Sequence, residues 1–297
     1  QFLERSRFQE GLACELINGR YGYIDTTGKT VIAPQFLIAY NFSEGLASVR
    51  VEGKWGYIDK KGTMVILPQY ANVKDFSNGL AAVQMNNKWG YINKTGKMVI
   101  APRFDIAWEF NEGLGGVKIA DKWNYIDKTG KIVFNLPYDN FGRISEGLIN
   151  VKVGDKWGYI DKTGKMVIPP QFNRVEPFSE GLADVNIGNG DLEPEQWGYI
   201  DKKGRFIIQP QYQDASRFHD GLAAVTYSGK TVIFCEKKIV EHGKFGYIDK
   251  TGKMVIEPEY GYTYDFYDFD HGIAEVQLGE KIGYINRIGK YVWEPTK

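Results

Sequence analysis

A glycine returns every 34 residues through the first half of this 297-residue sequence, and a period of that length reads as a tandem array of small identical folds. The Gly of the phrase Glu-Gly-Leu and its variants falls at Gly11, Gly45, Gly79, Gly113, Gly147, Gly181, Gly221 and Gly272. Five intervals are 34 residues, and the last two are 40 and 51. A second phrase of the type Trp-Gly-Tyr-Ile-Asp follows each glycine, led by Tyr21, Trp55, Trp89, Trp123, Trp157, Trp197, Phe245 and Ile282. Most units close on an apolar run, a proline and an aromatic, as at Pro68/Tyr70 and Pro102/Phe104. The chain is thus expected to be one array of eight units, near 2–36, 37–70, 71–104, 105–138, 139–172, 173–212, 213–260 and 261–297.

The second copy shows what a unit builds. Leu46 to Val51 alternates with Ala47, Val49 and Val51 on one face, which is strand period. Trp55 to Asp59 is rich in residues that favour strands. Asp59-Lys60-Lys61-Gly62-Thr63 predicts a hairpin loop, with Asp bonding its own backbone and Gly supplying a positive φ. Met64 to Leu67 is a third strand that Pro68 should stop, because proline cannot donate a ladder bond. Gln69 to Asn78 is then a connection anchored by Phe76. The glycine after each Trp predicts close approach of another backbone or ring. Trp and Tyr of each unit are expected to pack on a neighbour as an aromatic spine. The fold class is all-β, three-stranded antiparallel units in an open twisted solenoid or superhelix of about 115 Å if fully stacked. A closed propeller-like ring is the alternative.

The departures from the period carry information too. The step from the Gly-Leu phrase to the Trp phrase is ten residues, but 16 in the sixth unit and 24 in the seventh. Both insertions fall between strands one and two, where length is tolerated at small entropic cost. In the fourth unit Phe134-Asn135-Leu136-Pro137 departs from the pattern and predicts a bulge or bend. The first and last units degenerate, as caps do, with Glu15 in a Val slot and Tyr21 and Ile282 in place of Trp.

Composition narrows the partners. Lys plus Arg and Asp plus Glu are 37 each, so no surplus of positive charge points to nucleic acid or an anionic membrane. No apolar stretch approaches the roughly 20 residues that span a bilayer, and no leader of basic then apolar residues opens the chain. The 35 Gly and the 17 Phe, 19 Tyr and 7 Trp are absorbed mostly by phased positions, so they are scaffold rather than a binding composition.

Lys54-Trp55-Gly56-Tyr57-Ile58-Asp59 and Lys156-Trp157-Gly158-Tyr159-Ile160-Asp161-Lys162-Thr163-Gly164-Lys165 resemble the WG-repeat (KWG-repeat) family of mainly bacterial proteins. Tyr291-Val292-Trp293-Glu294-Pro295 is similar to the family's terminus. The resemblance implies a non-catalytic protein, exported or held at the cell envelope or joined to other domains, and offers no catalytic residues to carry over.

Several patterns imitate active sites. Asp127-Lys128-Thr129-Gly130, Asp161-Lys162-Thr163-Gly164 and Asp249-Lys250-Thr251-Gly252 match the start of the phosphorylation motif of ATP-driven pumps, yet they recur at every hairpin tip and become Asn93 and Asn286 elsewhere. The same loops lack the alternating acids and distal Glu of a calcium loop. His219, His242 and His271 form no constellation, although His219 and His271 with Asp220 and Asp270 leave a minor hydrolase reading. Cys14 and Cys235 occupy unrelated slots, so neither zinc nor a disulfide framework is expected. Glu10, Glu44, Glu112, Glu146 and Glu180 read as turn residues. Lys60, Lys94, Lys128, Lys162, Lys202 and Lys250 read as a solvated edge that discourages strand pairing with other chains.

Recognition is expected where an array varies. The slot five residues before each Gly-Leu glycine holds Tyr40, Lys74, Trp108, Gly142, Glu176 and Ser216, beside a small or apolar neighbour. Alternation turns Tyr40 and Trp108 outward, with packing between units as the competing account. The second candidate is Glu259 to Asp270, which carries Tyr262, Tyr264 and Tyr267 among acids, with a capping loop as its competitor. These observations predict a monomeric, non-catalytic scaffold that binds a protein or cell-envelope glycan at Tyr40, Trp108, Tyr262, Tyr264 and Tyr267. No metal and no cofactor are expected. A purely structural spacer is the alternative.

Overall fold

A computed structural model describes residues 8–138, 140–188, 195–226, 231–234, 237–240, 244–260, 269, 271–279 and 281–296. The chain packs as two compact units, Gln1–Pro137 and Tyr138–Lys297. It is all-β, a succession of small antiparallel sheets with no closed barrel and no helix among the described residues. Among those residues there is therefore no helix long and apolar enough to cross a membrane.

In the first unit a three-stranded sheet (Leu12–Ile17, Arg20–Asp25, Thr30–Phe36) precedes three four-stranded meanders. The second sheet shows their plan: Ile38–Ala39, Ala47–Val51, Lys54–Ile58 and Met64–Tyr70, paired in sequence order. The second unit repeats it, as in Arg174–Val175, Leu182–Asn186, Trp197–Asp201 and Phe206–Tyr212. The connection after a closing aromatic contributes a two-residue strand to the sheet that follows at Ile38–Ala39, Asn72–Val73, Arg174–Val175 and Asp214–Ala215, a six-residue one at Ile106–Asn111, and only the bridge Phe141–Val151 before Leu148–Val153. The long insertion of the seventh repeat folds a further hairpin, Thr231–Phe234 with Lys237–Val240, in the link between strands one and two.

The first strands are buried on both faces, all five residues of Leu182–Asn186 among them. That follows from the packing: the core lies between consecutive sheets, not within one. Leu46, Trp55, Tyr57, Ile66 and Tyr70 of the second sheet close on Phe76, Ala81, Val83 and Ile92 of the third. The aromatic spine consists of ring pairs, each Tyr of the Trp-Gly-Tyr phrase meeting the next Phe anchor, as in Tyr57–Phe76 at 4.9 Å and Tyr159–Phe178 at 5.0 Å.

Two expectations are corrected. Proline does not stop the third strand: Met64–Tyr70 runs through Pro68 with a register shift, Trp55 pairing Tyr70 but Tyr57 pairing Ile66. The extra residues form a bulge, where a missing N–H costs no ladder bond. The bulge explains the glycine beside Trp, because a Cβ on Gly56 would stand 2.4 Å from Ile66 O and 2.9 Å from Pro68 N. The fourth repeat, expected to bulge, is instead straight there: Trp123, Asn124 and Tyr125 pair Leu136, Asn135 and Phe134 without a shift. With no bulge above it, position 124 tolerates the side chain of Asn.

Candidate functional site

The variable slot is built from recurring contacts. Its N–H donates to the first strand of its own sheet, Tyr40 N to Ser48 O at 3.0 Å and Lys74 N to Ala82 O at 2.9 Å. Its carbonyl accepts the tyrosine hydroxyl of the preceding sheet: Tyr23 to Tyr40 O at 2.7 Å, Tyr57 to Lys74 O at 2.7 Å, Tyr91 to Trp108 O at 2.8 Å. The second unit does the same, with Tyr159 to Glu176 O and Tyr199 to Ser216 O, both at 2.8 Å. These tyrosines are buried, so each hydroxyl needs the bond. Backbone position is thus fixed while the slot side chain is left to vary.

The slot side chains meet different fates. Tyr40 is 52% exposed and lies flat on Trp55 of its own sheet, with centroids 5.3 Å apart and planes 9° apart. Trp108 is only half-buried and packs on Trp123 at 4.4 Å. It lies across Gly116, where an added Cβ would be 2.6 Å from Trp108 Cε3. Gly142 likewise yields its space to Asn150. Lys74 Nζ stands 3.9 Å from Glu109 Oε1 on the next sheet. Burial pushes the Glu176 carboxyl up, and the Arg217 guanidinium pulls it back in part. Slot residues therefore also match the sheet that follows them. Tyr262, Tyr264 and Tyr267 lie outside the described residues.

The acids and lysines of the turns do more than sequence reading assigned them. Glu44, at φ 52°, precedes Gly45 at φ 87° in a left-handed turn. Its carboxylate accepts Gly79 N at 3.0 Å and pairs Lys94 at 3.1 Å, both on the next repeat. Glu10 holds Gly45 N and Lys60, Glu146 holds Gly181 N and Lys202, and Glu180 holds Gly221 N and Lys250 in the same way. Lys60, Lys94, Lys202 and Lys250, expected as part of a solvated edge, are therefore half of a clasp between repeats. Its signal in the sequence was two residue types recurring in phase. A second bond joins the same turns, as Ser43 Oγ donates to Phe76 O at 2.7 Å and Ser77 Oγ to Phe110 O at 2.6 Å.

The motifs resembling catalytic sites are structural. Asp161 Oδ1 accepts Thr163 N at 2.8 Å, Thr163 Oγ1 at 2.6 Å and Lys165 N at 3.0 Å, which hold the carboxyl below its ordinary range. Asp161 Oδ1 is thus spent on forming the turn. Asp220 accepts Gly272 N at 2.6 Å in a clasp, and His219 pairs its backbone with Leu222. His271 occupies the left-handed turn position at φ 53°. His242, Asp270 and Cys235 lie outside the described residues. Cys14 is a free thiol that burial pushes up to about 11. Among the described residues no three ligating side chains gather as a metal site.

One charged cluster escaped sequence reading. Arg174 Nη1 meets Glu195 Oε1 at 2.6 Å, and Trp197 Nε1 donates to Glu195 Oε2 at 3.1 Å, fixing the end of the sixth-repeat insertion. Asp214 nearby is pushed up to about 6, mainly by burial, with the Glu195 charge adding and the Ala215 N–H and Arg174 opposing.

A family profile described as WG containing repeat matches residues 21–55, 55–89, 89–123, 125–157, 157–190, 197–230 and 245–281. Comparison with curated protein sequences finds no significant match. Among solved structures, "Crystal structure of the eukaryotic initiation factor" is similar with a TM-score of 0.62 at 10% identity, over 96% of this chain and 85% of that one. The likeness is one of fold, and the neighbouring folds are propeller-like β repeats, the second architecture read from the sequence. BamB from Moraxella catarrhalis aligns at a TM-score of 0.45 and 11% identity, over 89% of this chain and 91% of that one. Kuenenia stuttgartiensis hydrazine synthase, an enzyme, aligns at 0.36 and 13% identity, over 70% and 74%.

Proposed function

The chain belongs to the WG-containing repeat family, and from that premise we propose that it is a non-catalytic scaffold that binds a protein or cell-envelope glycan through its slot side chains. One observation supports this reading above others. The same two backbone bonds hold Tyr40, Lys74, Glu176 and Ser216, so main-chain bonding places no demand on which side chain stands there. Surfaces that vary on a rigid frame are where recognition resides in repeat proteins.

The test compares the wild-type chain with a Tyr40→Ala, Trp108→Ala, Glu176→Ala variant on peptide and glycan arrays and in capture from envelope extracts. Wild type should bind a defined set of ligands. The variant should lose them while keeping its circular dichroism spectrum. Unchanged binding would remove the slots from recognition. The pairing of Lys74 with Glu109 supports a second reading, in which slot side chains only join sheets and the chain is a spacer. Arrays empty for wild type would favour it.

A further inference from the structure

Two Asn-Gly pairs lie among the described residues, Asn18-Gly19 and Asn78-Gly79, and the fold treats them in opposite ways. Asn18 and Gly19, at φ 51° and 79°, are the two-residue turn between Ile17 and Arg20, a type that requires positive φ at both positions. Both are exposed, and among the described residues no hydrogen bond engages the Asn18 carboxamide or the Gly19 N–H. The hairpin does not require this pair, since Glu52-Gly53, Asn86-Asn87 and Ala120-Asp121 make the same turn in the next three repeats. Of these four turns, only the first joins a carboxamide to a following glycine, which has no Cβ to shield its nitrogen.

Asn78 and Gly79, at φ 54° and 84°, are held on every side. Asn78 Oδ1 accepts Gly113 N at 2.9 Å, and Asn78 Nδ2 donates to Ser77 Oγ at 3.4 Å. Gly79 N donates to Glu44 Oε2 at 3.0 Å. Both groups that would react in this pair are therefore engaged in the joints between repeats, whereas both are free at Asn18. An asparagine is chemically labile where the next backbone nitrogen can reach its side-chain carbonyl carbon. Gly19 N, on losing its proton, bonds to Asn18 Cγ; the Cγ–Nδ2 bond breaks, ammonia leaves carrying that proton, and a cyclic imide remains. Water then opens the imide. Cleavage at Cγ gives aspartate with the main chain unchanged, and cleavage at the main-chain carbonyl carries the chain onward through Cγ as isoaspartate. Water is consumed, ammonia is released, and nothing is oxidised or reduced.

We propose that Asn18 is a self-modification site at which the chain deamidates through Gly19, and that the clasp on Gly79 keeps Asn78 intact. The two products differ in consequence. Aspartate keeps the hairpin, because Asp-Gly also favours this turn. Isoaspartate adds a main-chain carbon to a two-residue loop whose length sets the Ile17–Arg20 pairing, so the three-stranded first sheet loosens at that end. Chemical ageing of the described chain thus begins in its first repeat.

The test is incubation of the full chain at mildly alkaline pH, folded or in urea, followed by peptide mapping with mass spectrometry. In urea the two pairs should convert at similar rates, which supplies the clock for each. In the folded chain the Asn18 peptide should gain one mass unit and become a substrate for isoaspartyl methyltransferase. Asn78 should lag it by about tenfold, because a hydrogen bond to a charged group must open first. Glu44→Ala should bring Asn78 towards the Asn18 rate. Asn18→Gln should remove the modification from the first hairpin and keep the circular dichroism spectrum. Folded Asn18 converting no faster than folded Asn78 would overturn the proposal. So would a folded Asn18 that stays amidated while both pairs convert in urea. An Asn78 rate unmoved by Glu44→Ala, in a variant that still melts cooperatively, would overturn the protective role of the clasp.

Discussion

Replacing Gly90 with alanine tests the reasoning that links the Trp-Gly pair to the bulge. The new Cβ would stand 2.5 Å from Ile100 O and 2.7 Å from Pro102 N. An ordinary carbon–oxygen contact is about 3.3 Å, so the bulged backbone would have to retreat by about 0.8 Å. Both obstacles are main chain, Ile100 held by its pairing with Tyr91 and Pro102 in the bulge beside it, and neither has a rotamer to change. The cost belongs at the upper end for overpacking, about 3 kcal/mol, or on the order of 5–10 °C in melting temperature. Asn124→Ala is the internal control, because that position faces a straight partner strand. It should lose only the bond from Asn124 Nδ2 to Lys122 O, 2.9 Å long and worth about 1 kcal/mol. Sheets in an array can open singly, so hydrogen exchange across Lys88–Asn93 is read beside the melt. Equal losses for the two substitutions, or unchanged exchange in Gly90→Ala, would refute the steric account.

Two further predictions concern charge. Asp214 has a folded pKa of about 6, above its unfolded value, so its ionisation works against folding at neutral pH and ceases to do so as pH falls below about 4. The two-unit shift would be worth about 3 kcal/mol, and partial solvent screening reduces that to about 1–2 kcal/mol. Asp214→Asn should therefore stabilise at pH 7 by that amount and flatten the pH dependence of the urea midpoint between pH 4 and 6. Glu44 behaves oppositely: burial raises its carboxyl, but Lys94 and the Gly79 and Asn78 N–H groups outweigh it and hold it below the ordinary range. Its contribution is present above the unfolded pKa and lost as pH falls through the folded one. Glu44→Gln should cost about 0.5–1 kcal/mol at pH 7, and the cost should shrink as acid protonates the Glu44 carboxyl, measured by thermal melts.

Much of this architecture was legible because local chemistry and period agreed. Asp59 and Gly62 make the turn their types require, with Asp59 Oδ1 accepting Lys61 N and Thr63 N and Gly62 at φ 81°. Gly56 signalled a close approach, and Ile66 O supplies it. What escaped was short or distant. Ile38–Ala39 is two residues long, below any periodicity, and becomes a strand only by pairing with Arg50 and Val49. Pro68 was read by its missing donor, whereas in a bulge that donor has no partner to lose. Glu10 and Lys60 are 50 positions apart, and only the phase of the repeat brings them together. At the site, alternation placed Tyr40 outward, while the burial of Trp108 depends on Gly116 giving way beneath it, a pairing across strands that no single segment displays.

The tyrosine-to-slot bond, the serine bond and the carboxylate clasp share a property: in each case described, donor and acceptor belong to consecutive repeats. An internal repeat consequently offers its successor the same fittings that it takes from its predecessor. A gene duplication that inserted one whole period would meet compatible surfaces on both sides and need no new ones. Copy number is then open to change by recombination, and every added copy brings one more slot whose side chain is free to be chosen.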